Sequence, residues 1–197
     1  MTTLYIIRHG KYLTPKGIIP YRLAGFNLAP EGVAMVEKLS DQLRDVPFVA
    51  IYTSPMERTV ETAQIIAKSH SLNPVIDERL LEVRSPAQGL TVAEIEAISP
   101  FDWSIYDTDF RKAGNGESTE EVFVRTADIV NEKLTQHKNQ TFALVTHGDQ
   151  TMLMAAHYMG IPRTTEALLK LPYVPMAGGY KIELEGEKVL VTPLHKI

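Results

Sequence analysis

The sequence predicts an α/β fold: a three-layer sandwich whose mostly parallel central sheet carries helices on both faces and ends in a C-terminal β-hairpin. Three observations predict it. Residues 4–7, 49–52 and 142–145 are short, continuously apolar runs, the pattern of strands covered on both faces. Each is followed within a few residues by a helical pattern, and that alternation indicates layered α/β architecture. Near the end, residues 179–185 and 188–193 flank Gly186-Glu187 and read as a hairpin. With 197 residues and no repeat, low-complexity tract or Gly/Ser linker, one domain over 1–197 is expected, with a loop and helix insertion at about 78–118.

Taken in order, the first helix is expected to start at Pro30 and to carry Val33, Val36, Leu39 and Leu43 inward, ending before Pro47. Ser54-Pro55-Met56-Glu57 offers a serine N-cap, a proline at the first helical position and a glutamate to complete a capping box. That helix is expected to run to about Ser69. Ser118-Thr119-Glu120-Glu121 repeats the capping box and opens a helix to about Gln136, with Val122, Phe123, Val130 and Leu134 on one stripe. A helix from about Asp149 stops at Gly160, with Pro162 beyond. Residues 101–110 are aromatic and acidic without a clean period. Two readings stand for them: a surface helix tucking its aromatics inward, or a lid over a site.

Composition narrows the function. A formal charge of −4 with no basic run argues against a nucleic-acid partner. No apolar run approaches the ~18 residues a bilayer span requires, and no leader precedes the first strand, so a soluble cytoplasmic protein is expected. The chain has no cysteine, which removes thiolate nucleophiles and thiolate metal ligands.

Ligands of open α/β sheets bind beyond the carboxyl ends of the strands. Three polar residue sets fall there: Arg8-His9-Gly10, residues 54–62 with Arg58, and Thr146-His147-Gly148-Asp149. Together they supply two histidines and two arginines. Phosphoryl transfer needs this kind of set, because the moving group spreads negative charge over its oxygens and catalysis is mostly positioning and electrostatics. Arginine's fork binds two oxygens at once and stays charged, and a neutral imidazole is a competent nucleophile near pH 7. Gly10 and Gly148 are expected to leave room beside the histidines. Alone, Arg-His-Gly is a short match, and Ser54-Pro55 is explained as helix-start chemistry. The ordered combination carries the weight.

That combination resembles the histidine phosphatase superfamily, also called phosphoglycerate mutase-like, over nearly the whole chain. The opening signature matches residues 4–10; Ser54, Arg58, Thr62 and Ala63 match a second; Leu81-Glu82 and Gly89 resemble the general-acid element; Gly116-Glu117-Ser118 with Arg125 matches a further block; Thr146-His147-Gly148 matches the late histidine. The resemblance implies that His9 is the nucleophile, that Glu82 is the general acid and then base, and that Arg8, Arg58 and His147 hold the phosphoryl oxygens, with Arg22 a further candidate; Gly10 and Lys11 are candidates by their place beside His9. It implies a phosphohistidine intermediate on His9, no metal and no cofactor, and a small phosphorylated metabolite as substrate. Glu82 also admits a plain reading as a loop carboxylate paired with Arg79 or Arg84. Lys11 is either a solvated lysine or a cation for a second acidic group.

Departures from the family pattern favour a phosphatase over a mutase. Lys11-Tyr12-Leu13-Thr14 follows Arg-His-Gly, where mutases carry an acidic residue and then an asparagine, and the mutases' longer insertion is absent. Arg22 and Gly25 match an Arg-x-x-Gly element in which Ala24 replaces the usual glutamine, and Ala29 stands where a serine or threonine cap is expected. The alternatives are a phosphoglycerate mutase, and a phosphoprotein phosphatase or regulatory module on the same fold. His70, His137, His157 and His195 are assigned no catalysis.

Overall fold

Alternation within the apolar strands sorts their side chains onto two faces, and each face has its own core. The computed structural model describes residues 1–98, 114 and 116–194. Strand β1 (Thr2–Arg8) sends Leu4 and Ile6 to one cluster and Tyr5 and Ile7 to the other. Strand β4 (Thr141–Thr146) divides Phe142 and Leu144 from Ala143 and Val145 in the same way. Helices α1 (Pro30–Leu43) and α2 (Glu57–Lys68) cover the second face with Val36, Leu39, Leu43, Ala63, Ile66 and Ala67. Helices α4 (Thr119–Gln136) and α5 (Gly148–Tyr158) cover the first with Val122, Ile129, Val130 and residues 152–156. The fold is therefore the three-layer sandwich expected.

The six-stranded sheet has the order β3-β2-β4-β1-β5-β6, with β2 (Phe48–Thr53) and β3 (Val75–Ile76) on one flank and β5 (Gly179–Glu185) and β6 (Lys188–Pro193) on the other. Pairings among β1 to β4 are parallel, whereas β5 and β6 form the antiparallel hairpin beside β1. Both hairpin strands have the predicted limits. β2 departs from expectation. Val49 is 41% exposed and sits where the β2–β4 register shifts between Phe48 and Ala50.

The helix ends test the capping arguments. Ser118 caps α4 with both halves of its capping box formed, and Gly160 takes φ 70° just after α5, ending it in a left-handed turn. At α2 the expectation fails. The N-cap is Met56, and the helix begins at Glu57 without a side-chain cap, leaving Ser54-Pro55 outside. Ser54 has another partner, described below. Within the stretch 78–118 the described residues hold a 3-10 turn (Glu78–Leu80) and α3 (Val92–Ile98); a short helix α6 (Thr165–Leu168) precedes the hairpin. Residues 101–110, with their two readings, and His195 lie outside the described residues. No described helix is long and apolar enough to cross a membrane.

Candidate active site

Strand register brings the two histidines together. Arg8 pairs with Thr146 across the parallel β1–β4 ladder, so the next residues, His9 and His147, leave neighbouring strand ends side by side. Their ring centroids lie 5.2 Å apart at an interplanar angle of 67°. Val145, one residue earlier, pairs with Thr53 of β2, which delivers Ser54 to the same edge. Arg58, in the first turn of α2, enters from the second face and is 1% exposed.

Arg58 is the hub. Its Nε donates to His9 Nε2 at 3.2 Å, and one terminal nitrogen, Nη2, reaches His147 Nδ1 at 3.2 Å, Glu82 Oε2 at 3.6 Å and the Tyr21 carbonyl at 2.7 Å. Its other terminal nitrogen is buried with no partner among the described residues, and Arg8 Nε shares that condition. Buried donors left unpaired are costly, so two of them beside the paired histidines suit an anion. Glu82 Oε2 also lies 3.2 Å from His147 Nδ1. The plain reading of Glu82 as a loop partner of Arg79 does not describe it: Arg79 pairs with Asp77, Asp128 and Glu132 instead.

The tautomer of His9 follows from its neighbours. Its Nδ1 lies 2.8 Å from the Gly10 carbonyl, which can only accept, so Nδ1 carries the proton and the Nε2 lone pair faces Arg58. Burial, then His147 and Arg58, hold the His9 pKa well below the ordinary histidine value. Burial likewise lowers His147, to about 4, against the upward pull of Glu82 and with Arg58 pushing down. Glu82 is raised by burial, but His147, Arg58 and the Val83 amide outweigh it and hold the carboxyl below its usual range. Glu82 and His147 meet in one contact, with the Arg58 guanidinium beside both. The resting site thus pairs two neutral imidazoles with one guanidinium and one carboxylate.

The other predicted residues divide. Arg8 reaches the site rim, donating from Nη1 to the Val174 carbonyl at 2.7 Å under the Tyr173 ring. Gly10 spends its amide on Thr62 Oγ1 at 3.1 Å. A Cβ there would meet Val36 at 2.7 Å and the Gly32 carbonyl at 2.8 Å, so the missing side chain admits α1; at Gly148 it admits the Tyr173 hydroxyl. The space expected beside the histidines is filled by protein. Lys11 is exposed and faces Glu31 at 3.9 Å. Arg22 directs Nε to the Glu82 carbonyl at 2.6 Å and Nη2 to Glu117 at 2.6 Å. Two site residues went unassigned by sequence reasoning. Ser54 Oγ lies 2.9 Å from His147 Nε2, and Tyr12 sets its ring edge-on to His9 at 5.4 Å and 5.2 Å from the Arg58 guanidinium. Ser54 belongs to the second signature, but its position alone reads as helix-start chemistry.

Three donor atoms from His9, Glu82 and His147 lie within 4.8 Å of one another. Arg58 already faces all three with a buried positive charge, so a metal ion there would sit against a guanidinium. The set is better suited to an anion.

The Histidine phosphatase superfamily (branch 1) model matches residues 4–193. The 2,3-bisphosphoglycerate-dependent phosphoglycerate mutase of Thermoplasma acidophilum is 33% identical over 84 residues, 42% of this chain and 42% of that protein. Phosphoserine phosphatase 1 of Hydrogenobacter thermophilus is 28% identical over 168 residues, 82% of this chain and 76% of that protein. The aligned stretch spans less than half the length of the first curated relatives. Among solved structures, Bacillus stearothermophilus YhfR superposes with a TM-score of 0.84 at 27% identity, covering 97% of this chain and 95% of its own. With the motifs in order, the strand-end site assembled and the family model matched almost end to end, the chain belongs to the histidine phosphatase superfamily.

Proposed function

We propose that the protein is a metal-independent phosphatase that hydrolyses a phosphomonoester of a small metabolite through a phosphohistidine on His9. The observation that carries this reading is the fixed His9 tautomer, whose Nε2 lone pair accepts from Nε of buried Arg58, a guanidinium that keeps one terminal nitrogen unpaired. Nε2 attacks phosphorus in line as the ester P–O bond breaks, and the leaving oxygen takes a proton from Glu82. The imidazole becomes an N-phosphoimidazolium whose Nδ1–H stays on the Gly10 carbonyl. Water then attacks phosphorus, gives its proton to Glu82, and frees His9 as the P–N bond breaks. Arg8, Arg58 and His147 hold the transferring oxygens, where preorganised donors act most strongly. Glu82 is ionised in the resting site, so its proton enters with the substrate monoanion, whose second pKa is about 6.

The test is rapid quench with a consumed phosphomonoester. We expect an acid-labile phosphoryl label on the enzyme, undiminished turnover in excess chelator, and loss of both label and turnover in His9→Ala. Near-normal turnover in His9→Ala sinks the reading.

A second reading, phosphoglycerate mutase, is favoured by the Thermoplasma relative. It differs in the acceptor: the phosphohistidine passes its group to a second phosphoglycerate rather than to water. Incubation with 3-phosphoglycerate, with and without the bisphosphate, separates isomerisation from phosphate release. The Lys11-Tyr12-Leu13-Thr14 run favours phosphate release. A phosphoprotein phosphatase or a regulatory module would show as activity on phosphoproteins only, or on nothing.

A further inference from the structure

Glu82 sits on a segment with no regular structure after the 3-10 turn, yet nearly every carbonyl around it is tied down. The Leu80 carbonyl accepts from Thr146 Oγ1 at 2.9 Å, and the Leu81 carbonyl accepts from Gln150 Nε2. The Arg79 carbonyl accepts from Arg125 Nη1 at 2.8 Å. The Glu82 carbonyl accepts from Arg22 Nε at 2.6 Å and from Arg125 Nη2 at 3.3 Å. Between those two arginines lies the Glu117 carboxylate. It receives Arg22 Nη2 at 2.6 Å and Arg125 Nε and Nη2 at 3.0 Å each, and it accepts the Arg84 amide at 2.8 Å. The Glu117 amide returns to the Arg84 carbonyl at 2.8 Å.

Two features single this cluster out. It is withdrawn from water, with side-chain exposures of 24% for Arg22, 11% for Glu117 and 18% for Arg125; ion groups of that kind return little net stability. It also grips Glu82 by the residue's own carbonyl, while Arg58 and His147 meet its carboxylate. The loop that brings Arg22 there is bent by Tyr21, a non-glycine residue at φ 43°, whose carbonyl accepts from Arg58. One strained loop thus connects the phosphate-side guanidinium to the clamp on the acid.

We infer that Arg22, Glu117 and Arg125 are positioning residues that hold the Glu82 carboxyl at proton-transfer range of the leaving oxygen. The inference rests on the general-acid reading of Glu82 above. Displacements of about 1 Å at a catalytic group cost up to about 10²-fold, and the loss falls only where the proton matters. Aryl phosphates leave without help, and alkyl phosphates do not.

The experiment compares kcat and KM on p-nitrophenyl phosphate and on an alkyl phosphomonoester for wild type, Glu82→Gln, Glu117→Gln, Arg125→Lys and Arg22→Lys. For Glu82→Gln the expected loss is about 10²–10⁴-fold in kcat on the alkyl ester and far less on the aryl one. The clamp variants should follow the same pattern, losing about 10- to 10²-fold on the alkyl ester and at least about 10-fold less on the aryl ester. Should Glu117→Gln fail to fold, the two lysine variants, which keep the charge and lose the fork, carry the comparison. Equal losses on both esters in the clamp variants, with Glu82→Gln still selective, overturn the inference alone. A KM increase on both esters with kcat kept makes Arg22 a substrate contact and also overturns it. If Glu82→Gln is unselective, or the wild type consumes neither ester, the underlying reading falls and the clamp with it.

Discussion

Ser54 shows how one hydroxyl can be read two ways. Its place two residues before Met56 fits a helix cap, but its Oγ is 2.9 Å from His147 Nε2 in a fully buried setting. Ser54 thus holds the His147 ring by its Nε2, opposite the Nδ1 edge that meets both Arg58 and Glu82. Ser54→Ala should therefore lower kcat by about 5- to 10-fold, the value of one neutral hydrogen bond of about 1 kcal/mol. Steady-state kinetics on a consumed phosphomonoester measure it. An unchanged kcat would return Ser54 to a purely structural role. His9, Arg58 and His147 were legible as candidates because their chemistry is written in residue type. The role of Ser54 was not, because its partner lies 93 residues away.

At the scale of elements, the same four-residue pattern gave two outcomes. Ser118 closes a full capping box on α4, whereas Ser54 leaves α2 uncapped. The difference lies outside both helices: the Ser54 hydroxyl meets His147, whereas the Ser118 Oγ bonds Glu121. Ser118→Ala should cost about 1 kcal/mol of stability, lowering Tm by about 2–4 °C for a chain of this size, with kcat retained. A thermal melt beside an activity assay checks both parts. A lost kcat without a lower Tm would contradict the assignment of Ser118 as a cap. The strands and the hairpin were legible because burial on two faces leaves an uninterrupted apolar run. Strand β3 was not, since two exposed residues carry no period.

For the whole molecule, burying two neutral histidines beside an ionised glutamate ties stability to pH. The folded pKa values of His9 and His147 lie below the ordinary 6.5, so between about 6.5 and the depressed values the unfolded chain binds protons the folded chain refuses. Stability therefore falls as pH drops through that window, by about 1.4 kcal/mol per pH unit for each unmatched proton. Glu82, held below its usual range, adds to the loss as pH falls below about 4.5. Urea unfolding at pH 7, 6 and 5 should show the decline, and His147→Gln should flatten its slope by about one proton's worth. Identical slopes in variant and wild type would show that His147 is not buried neutral.

By itself the sequence determined the layered α/β class, the hairpin limits, most helix ends, and a short set of residues able to handle a phosphoryl group. These follow from local rules, in which side-chain periodicity, caps and charge act within a few residues. The tertiary structure alone decided that register sets His9 beside His147, that α1 and Tyr173 occupy the spaces at Gly10 and Gly148, and that Arg22 turns to Glu117 and the Glu82 carbonyl. Those facts depend on contacts between residues far apart in the chain. Such contacts form only where packing and buried charge are satisfied together, and no local pattern encodes that condition.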